Sequence, residues 1–224
     1  MIIFIRVLVL LISVIIHEVA HGYMAFLCGD DTAKRYGRLA INPLKHLDPV
    51  GSLVIPLLLT LANSPIMLGW AKPIPIDPQK FRNPKMDIIF VSIAGPLVNI
   101  ILIFVNIIAL RFINFYLLSK YNARINIHAI LNMQALQSIH LMDILVVFSF
   151  YMVIINTVLA VFNLIPIPPL DGSRLLMPFI SSSRMVDAYK FMEKYGIAVI
   201  FLLLYLNVFD SLFYMSLSLA LALI

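Results

Sequence analysis

The chain has 224 residues, 62% hydrophobic and only 12% charged, with a formal net charge of +5. Soluble domains are nearer ~45–50% apolar and about 25% charged, so an ordinary water-soluble fold is excluded, and no run of Lys and Arg is dense enough to suggest nucleic acid. A single cysteine, Cys28, rules out an intrachain disulfide.

The first apolar stretch, Ile2 to Cys28, is long enough to cross a bilayer, which takes roughly 20 residues. No basic region precedes it and no small-residue cleavage site follows, so it is expected to be a retained span rather than a leader. Its second half carries His17-Glu18-Val19-Ala20-His21. On a helix, residues four apart lie one above the other, so both imidazoles face the same way and can share one ion. Two neutral imidazoles suit Zn2+. Glu18 lies beside that face, within reach of a water at the metal as its base. The membrane strengthens this reading. A charged side chain at the centre of a span costs about 2.5–3.5 kcal/mol on insertion scales; a metal and a polar cavity offset that cost and lipid contact does not. The competing reading is a polar cluster that ties helices together.

Residues 29–49 form a loop with Lys34, Arg35, Arg38 and Lys45. Within it Gly37–Ile41 has the pattern of a short edge strand, able to pair with an unwound peptide. His46 is a loop histidine with a minor claim on metal or substrate. Gly51–Trp70 is apolar but broken by Pro56 and Pro65, with Asn63-Ser64 between them. Residues 70–87 are again basic. Ile88–Phe112 is the next span and carries Ala94–Asn99, AGPLVN; Gly95 permits close helix approach and Asn99 shares its face, so packing beside the site is expected. Residues 113–140 hold only Lys120 and Arg124. Leu141–Ile165 is a further span, 166–195 is basic, and Gly196–Ile224 is one long helix or a hairpin interrupted at Asn207 and Asp210.

Basic loops stay cytoplasmic. This puts 29–49, 70–87 and 166–195 inside and 113–140 outside, leaving Gly51–Trp70 with both ends on one side. A re-entrant dip turning near Asn63-Ser64-Pro65 satisfies that; a full span is the alternative. The expected fold is an all-α polytopic membrane bundle of about five to six segments. It forms a single integral membrane domain over residues 1–224, with its core in 1–176 and a C-terminal segment or hairpin at 196–224.

Hydrolytic zinc keeps three protein ligands and one open position, so a third ligand is needed. Of Asp87, Asp143, Asp171, Asp187 and Asp210, Asp171 stands out, closing the run FNLIPIPPLDG from Phe162 to Gly172. Pro166, Pro168 and Pro169 forbid a regular helix, and Gly172 permits a sharp turn after the carboxylate. His21 and Asp171 share one depth only if the spans that carry them run parallel, which again favours the re-entrant dip. Asn163, next to the break, offers an amide to a peptide carbonyl as charge develops on it. Asn156 is expected to hydrogen-bond between helices.

With these residues in place the chain resembles the site-2 proteases, the intramembrane zinc metalloproteases. The likeness rests on His17-Glu18-x-x-His21-Gly22, AGPLVN and NLIPIPPLDG. It extends through GRLAINPLKHLDPVGSL (Gly37–Leu53) and GWAKPIPID (Gly69–Asp77), which look like the small bacterial and archaeal branch. The resemblance implies one zinc per chain on His17, His21 and Asp171, Glu18 as catalytic acid and base, and Asn163 as a substrate or oxyanion contact. It implies a three-helix catalytic core, its first and third helices parallel around a middle one, in a multi-pass protein of a prokaryotic inner or plasma membrane. It implies hydrolysis of peptide bonds in the transmembrane helix of a membrane-protein substrate, releasing regulators or clearing signal-peptide remnants. Many members carry PDZ or CBS domains, for which this chain has no room. Two rivals are a zinc-binding scaffold without activity, which would not need Glu18, and a transporter, for which no inverted repeat is found.

Overall fold

The computed structural model describes residues 2–40, 42–61, 72–122, 125 and 141–223. Among them every regular element is helical: α1 (Ile2–Leu27), α2 (Thr32–Arg35), α3 (Ile55–Leu61), α4 (Pro84–Tyr121), α5 (Leu141–Asn163), α6 (Asp171–Arg174), α7 (Ser183–Tyr205) and α8 (Asp210–Ala222), with short 3-10 turns and one π-helical turn, Pro49–Val54. Three helices are long and apolar enough to cross a membrane: Ile2–Leu27, Pro84–Lys120 and Leu141–Asn163. The pair Ser183–Tyr205 and Asp210–Ala222 passes the same test together but bends by 76° at its break.

Local chemistry sets the helix ends. Pro84 opens α4, where its missing N–H costs nothing, and Asp87 accepts from the Asn83 N–H at 2.8 Å. The helix carries Pro96 in its interior and continues beyond it to Asn122, which takes a left-handed φ of 50° and stops it. The 38 residues of α4 therefore run about 57 Å, past the expected end at Phe112 and beyond a hydrocarbon layer of ~30 Å. Helix α7 likewise starts earlier than Gly196. Ser182 accepts from the Met185 N–H at 3.3 Å and caps it, and its first turns are charged rather than apolar. The break between α7 and α8 falls at Leu206–Phe209, with Asn207 at φ 57°, next to the interruption read from Asn207 and Asp210.

The edge strand over Gly37–Ile41 does not form in its described part, residues 37–40. Gly37 sits at φ 63°, and the N–H groups of Tyr36, Gly37 and Arg38 turn back onto the carbonyls of Thr32, Lys34 and Ala33. Those donors close α2 and are not free for a ladder. Ile41 lies outside the described residues.

Helices α1, α4 and α5 pack pairwise into the core, and the order of contacts gives their directions. Ile5 and Val9, early in α1, pack on Val147 and Met152 of α5. Ser13 accepts from the Asn156 amide at 2.9 Å, and His17 and His21 meet Asp171 beyond the end of α5. So α1 and α5 run parallel. Helix α4 runs against both: Val91 meets His21, Asn99 meets His17, and Leu102 packs with Ile5 and Val9. A second cluster joins Ile107 and Leu110 of α4, Val146 and Val153 of α5, and Ala220 of α8. Lipid is as apolar as these side chains, so close packing and interhelical hydrogen bonds such as Asn156–Ser13 (typically ~0.6 kcal/mol) hold the bundle, not transfer from water.

The chain between α1 and α4 returns to where it left. The Arg82 N–H donates to the Cys28 carbonyl at 3.1 Å, and the Lys72 N–H to the His46 carbonyl at 2.8 Å. His46 and Lys72 are therefore neighbours. The turn expected at Asn63-Ser64-Pro65 lies outside the described residues.

Candidate metal centre

The one-turn spacing of His17 and His21 does what helix geometry demands: the rings stand 4.6 Å apart, centroid to centroid, edge to face. Their Nε2 atoms are 3.0 Å apart, and Asp171 Oδ2 lies 3.1 Å from His17 Nε2 and 3.0 Å from His21 Nε2. All three side chains are buried. Asp171 begins α6, delivered by the proline run. Ser173 donates to the Leu170 carbonyl at 2.7 Å and lies 3.3 Å from the Tyr189 hydroxyl of α7. Gly172 is required here, because a Cβ would strike the Leu164 carbonyl. On the other side of the loop, Gly196 of α7 lies against the Pro168 carbonyl, where a Cβ has no room.

Helix α4 lines the opposite side of the imidazoles. A Cβ at Gly95 would strike His21 Nε2 and lie 2.6 Å from His17 Nε2. A carbonyl only accepts, so the 2.6 Å contact to Val91 O fixes a proton on His21 Nδ1. The Asn99 amide nitrogen lies 3.1 Å from His17 Nδ1. Burial alone would raise the Asp171 carboxyl, but the hydrogen bonds to His17 and His21 outweigh it and hold it well below the usual carboxylate range.

These donors fit zinc. Ligand atoms about 2.0–2.1 Å from a tetrahedral zinc stand roughly 3.3–3.4 Å apart, a few tenths beyond the separations found here. With its proton on Nδ1, His21 Nε2 approaches an anionic oxygen at 3.0 Å, which requires a second proton or a cation between them. Two imidazoles and one carboxylate form the donor set of a hydrolytic site with a position left open.

Glu18 is half-buried beside this cluster, its Oε2 accepting from the Ile74 N–H at 3.0 Å. The strap Lys72–Asp77 that supplies this donor is held at two further points. Arg38 Nη2 donates to the Lys72 carbonyl at 2.6 Å, and the Asp77 N–H donates to Asp30 at 2.7 Å. Ile74 buries its side chain against Gly22.

The expected site residues separate accordingly. His17, His21 and Asp171 converge, with Glu18 adjoining. Asn163 keeps its amide on the Leu159 carbonyl of its own helix, 3.0 Å away. His46 is fully buried within its loop, its Nε2 donating to the Ala40 carbonyl at 2.7 Å. Asn156 bonds between helices, as expected. Asn99, expected only to pack, touches His17 directly. The strap and the Val91 carbonyl were not foreseen; the one available signal was Ile74 between Pro73 and Pro75, an isolated donor with no place in a regular ladder.

A family model described as Peptidase family M50 matches residues 77–206, a stretch that includes Asn163 and Asp171 but not His17–His21. "Putative zinc metalloprotease YwhC" of Bacillus subtilis (strain 168) is 38% identical over 215 residues, covering 92% of this chain and 81% of that protein. "Putative zinc metalloprotease Rip2" of Mycolicibacterium smegmatis is 32% identical over 92 residues, 41% of this chain and 34% of that protein. No solved structure gives a significant match.

Proposed function

The chain belongs to peptidase family M50, and on that footing we propose that it is an intramembrane zinc endopeptidase that cuts membrane-protein substrates within their transmembrane helices. The observation that carries this is the meeting of His17 and His21 of α1 with Asp171, which follows the parallel helix α5, with Glu18 next to His17 in the chain. The whole chain, 1–224, acts as one membrane domain of a prokaryotic inner membrane. The stretch Gly51–Trp70 re-enters rather than spans, a reading supported by the adjoining His46 and Lys72 backbones.

His17, His21 and Asp171 hold the metal. Bound zinc supplies Lewis acidity, polarising an oxygen and lowering the pKa of water toward about 7. Glu18 takes the proton of the attacking water and passes it to the leaving amine. The Ile74 N–H fixes the carboxylate for that exchange, leaving its second oxygen to act. Asn163 holds the substrate carbonyl, giving up its bond to Leu159 to do so. The substrate helix unwinds first, because its carbonyls are otherwise bonded and shielded.

The test is to purify the parent and Glu18→Gln in detergent and compare zinc content and cleavage of a model transmembrane substrate. Zinc in both and cleavage only by the parent is expected. Equal cleavage removes Glu18 as the base. Zinc without cleavage in either indicates a scaffold, and a parent without metal indicates a transporter.

A further inference from the structure

Asn99 is fully buried, 0% exposed, on a membrane-spanning stretch of α4, where a polar side chain without a partner is costly. One of its two polar atoms meets His17 Nδ1, and its Oδ1 is buried with no hydrogen-bond partner. The nitrogen and oxygen of a carboxamide have nearly the same shape, so bonding decides which one faces His17. An amide N–H pointed at His17 Nδ1 forces the ring proton onto Nε2, the atom that faces Asp171 and His21. An amide oxygen pointed there does the opposite. It accepts Nδ1–H and leaves Nε2 with a bare lone pair, the tautomer a metal ligand requires. Val91 already does this for His21, since its carbonyl can only accept.

We propose that Asn99 turns its Oδ1 to His17 and is the positioning residue that selects the metal-binding tautomer, an inference resting on the zinc reading above. One face of α4 then serves both ligands. Val91 O anchors His21, Asn99 Oδ1 anchors His17, and Gly95 between them leaves room for the rings. Asn99 touches no reacting atom; it acts through His17.

The experiment is zinc affinity of the full chain in detergent, by competition with a chromophoric chelator, for the parent, Asn99→Leu and Asn99→Asp, with folding followed by circular dichroism. A carboxylate accepts from His17 Nδ1–H without ambiguity, so Asn99→Asp is expected to fold and bind zinc within a few-fold of the parent. Asn99→Leu has no acceptor and is expected to bind about 10–100-fold more weakly. A purely structural role predicts the reverse order, because a buried carboxylate is worse tolerated than an apolar isostere. Asn99→Leu matching a zinc-binding parent overturns the inference alone. So does an Asn99→Asp that is unfolded or as weak as the leucine form, and this variant decides the matter even if Asn99→Leu does not fold. A folded parent that binds no zinc overturns the zinc reading and this inference with it.

Discussion

Replacing Gly95 by alanine is the most discriminating single change. The added Cβ would lie 2.6 Å from His17 Nε2, about 0.8 Å short of ordinary contact, and would also strike His21. Neither ring can retreat freely: His21 is tied to Val91, and His17 to Asn99. A displacement of ~0.8 Å is several times the ±0.2 Å tolerance of a metal–ligand bond. Overpacking costs about 1–3 kcal/mol, while alanine regains about 1 kcal/mol of helix propensity over glycine. Fold stability should therefore fall by no more than about 2 kcal/mol. Zinc affinity should fall at least about tenfold, and cleavage about a hundredfold, the usual effect of misplacing a site by ~1 Å. Zinc titration, thermal unfolding in detergent and cleavage of a model substrate are measured on the same preparation. Gly95→Ala with full zinc affinity and full cleavage would refute the packing argument and, with it, the role of α4 as the wall of the site.

Two further outcomes are expected. Gly196→Ala puts a Cβ into the Pro168 carbonyl and displaces the loop that carries Asp171, so zinc binding should weaken although the change lies on α7; unchanged affinity would show that the loop is held without α7. Asp30 lies in the loop after α1. Burial would raise its carboxyl, but hydrogen bonds from Thr32 and the Asp77 N–H, with Lys80 nearby, prevail and lower it. Its contribution to stability is therefore full above the ordinary carboxylate value of about 4 and is lost as pH falls through the depressed folded value. The Tm of the parent should drop between pH 5 and pH 2 more steeply than that of Asp30→Asn; equal slopes would remove Asp30 from the account.

Side-chain chemistry at fixed spacing was legible in the letters. His17 and His21 share a face because a helix repeats every ~3.6 residues, and three prolines with Gly172 announce that Asp171 is presented by something other than a helix. Matching the depths of His21 and Asp171 gave the parallel sense of α1 and α5. Backbone partners were not legible. The carbonyl of Val91 and the N–H of Ile74 belong to no motif, since any residue but proline offers both. Helix ends were missed where apolar content was the only guide. Helix α4 continues past Phe112 to Tyr121 because no proline or glycine stands between them, and the charged first turns of α7 do not look like a span. Gly37 misled for the opposite reason: a glycine among apolar residues resembles an edge, yet its positive φ serves to finish α2. Asn99 was placed on the right face but given too small a part, because a sequence does not say what stands opposite.

The strap beside Glu18 has one more property. Pro73, Pro75 and Pro78 contribute no amide hydrogen, and the donor between the first two is already spent on Glu18. The Lys72 and Asp77 N–H groups are taken as well, by the His46 carbonyl and Asp30, so the strap has few amide hydrogens left to give. A stray extended chain therefore finds no two-way seam along this strap on which to zip.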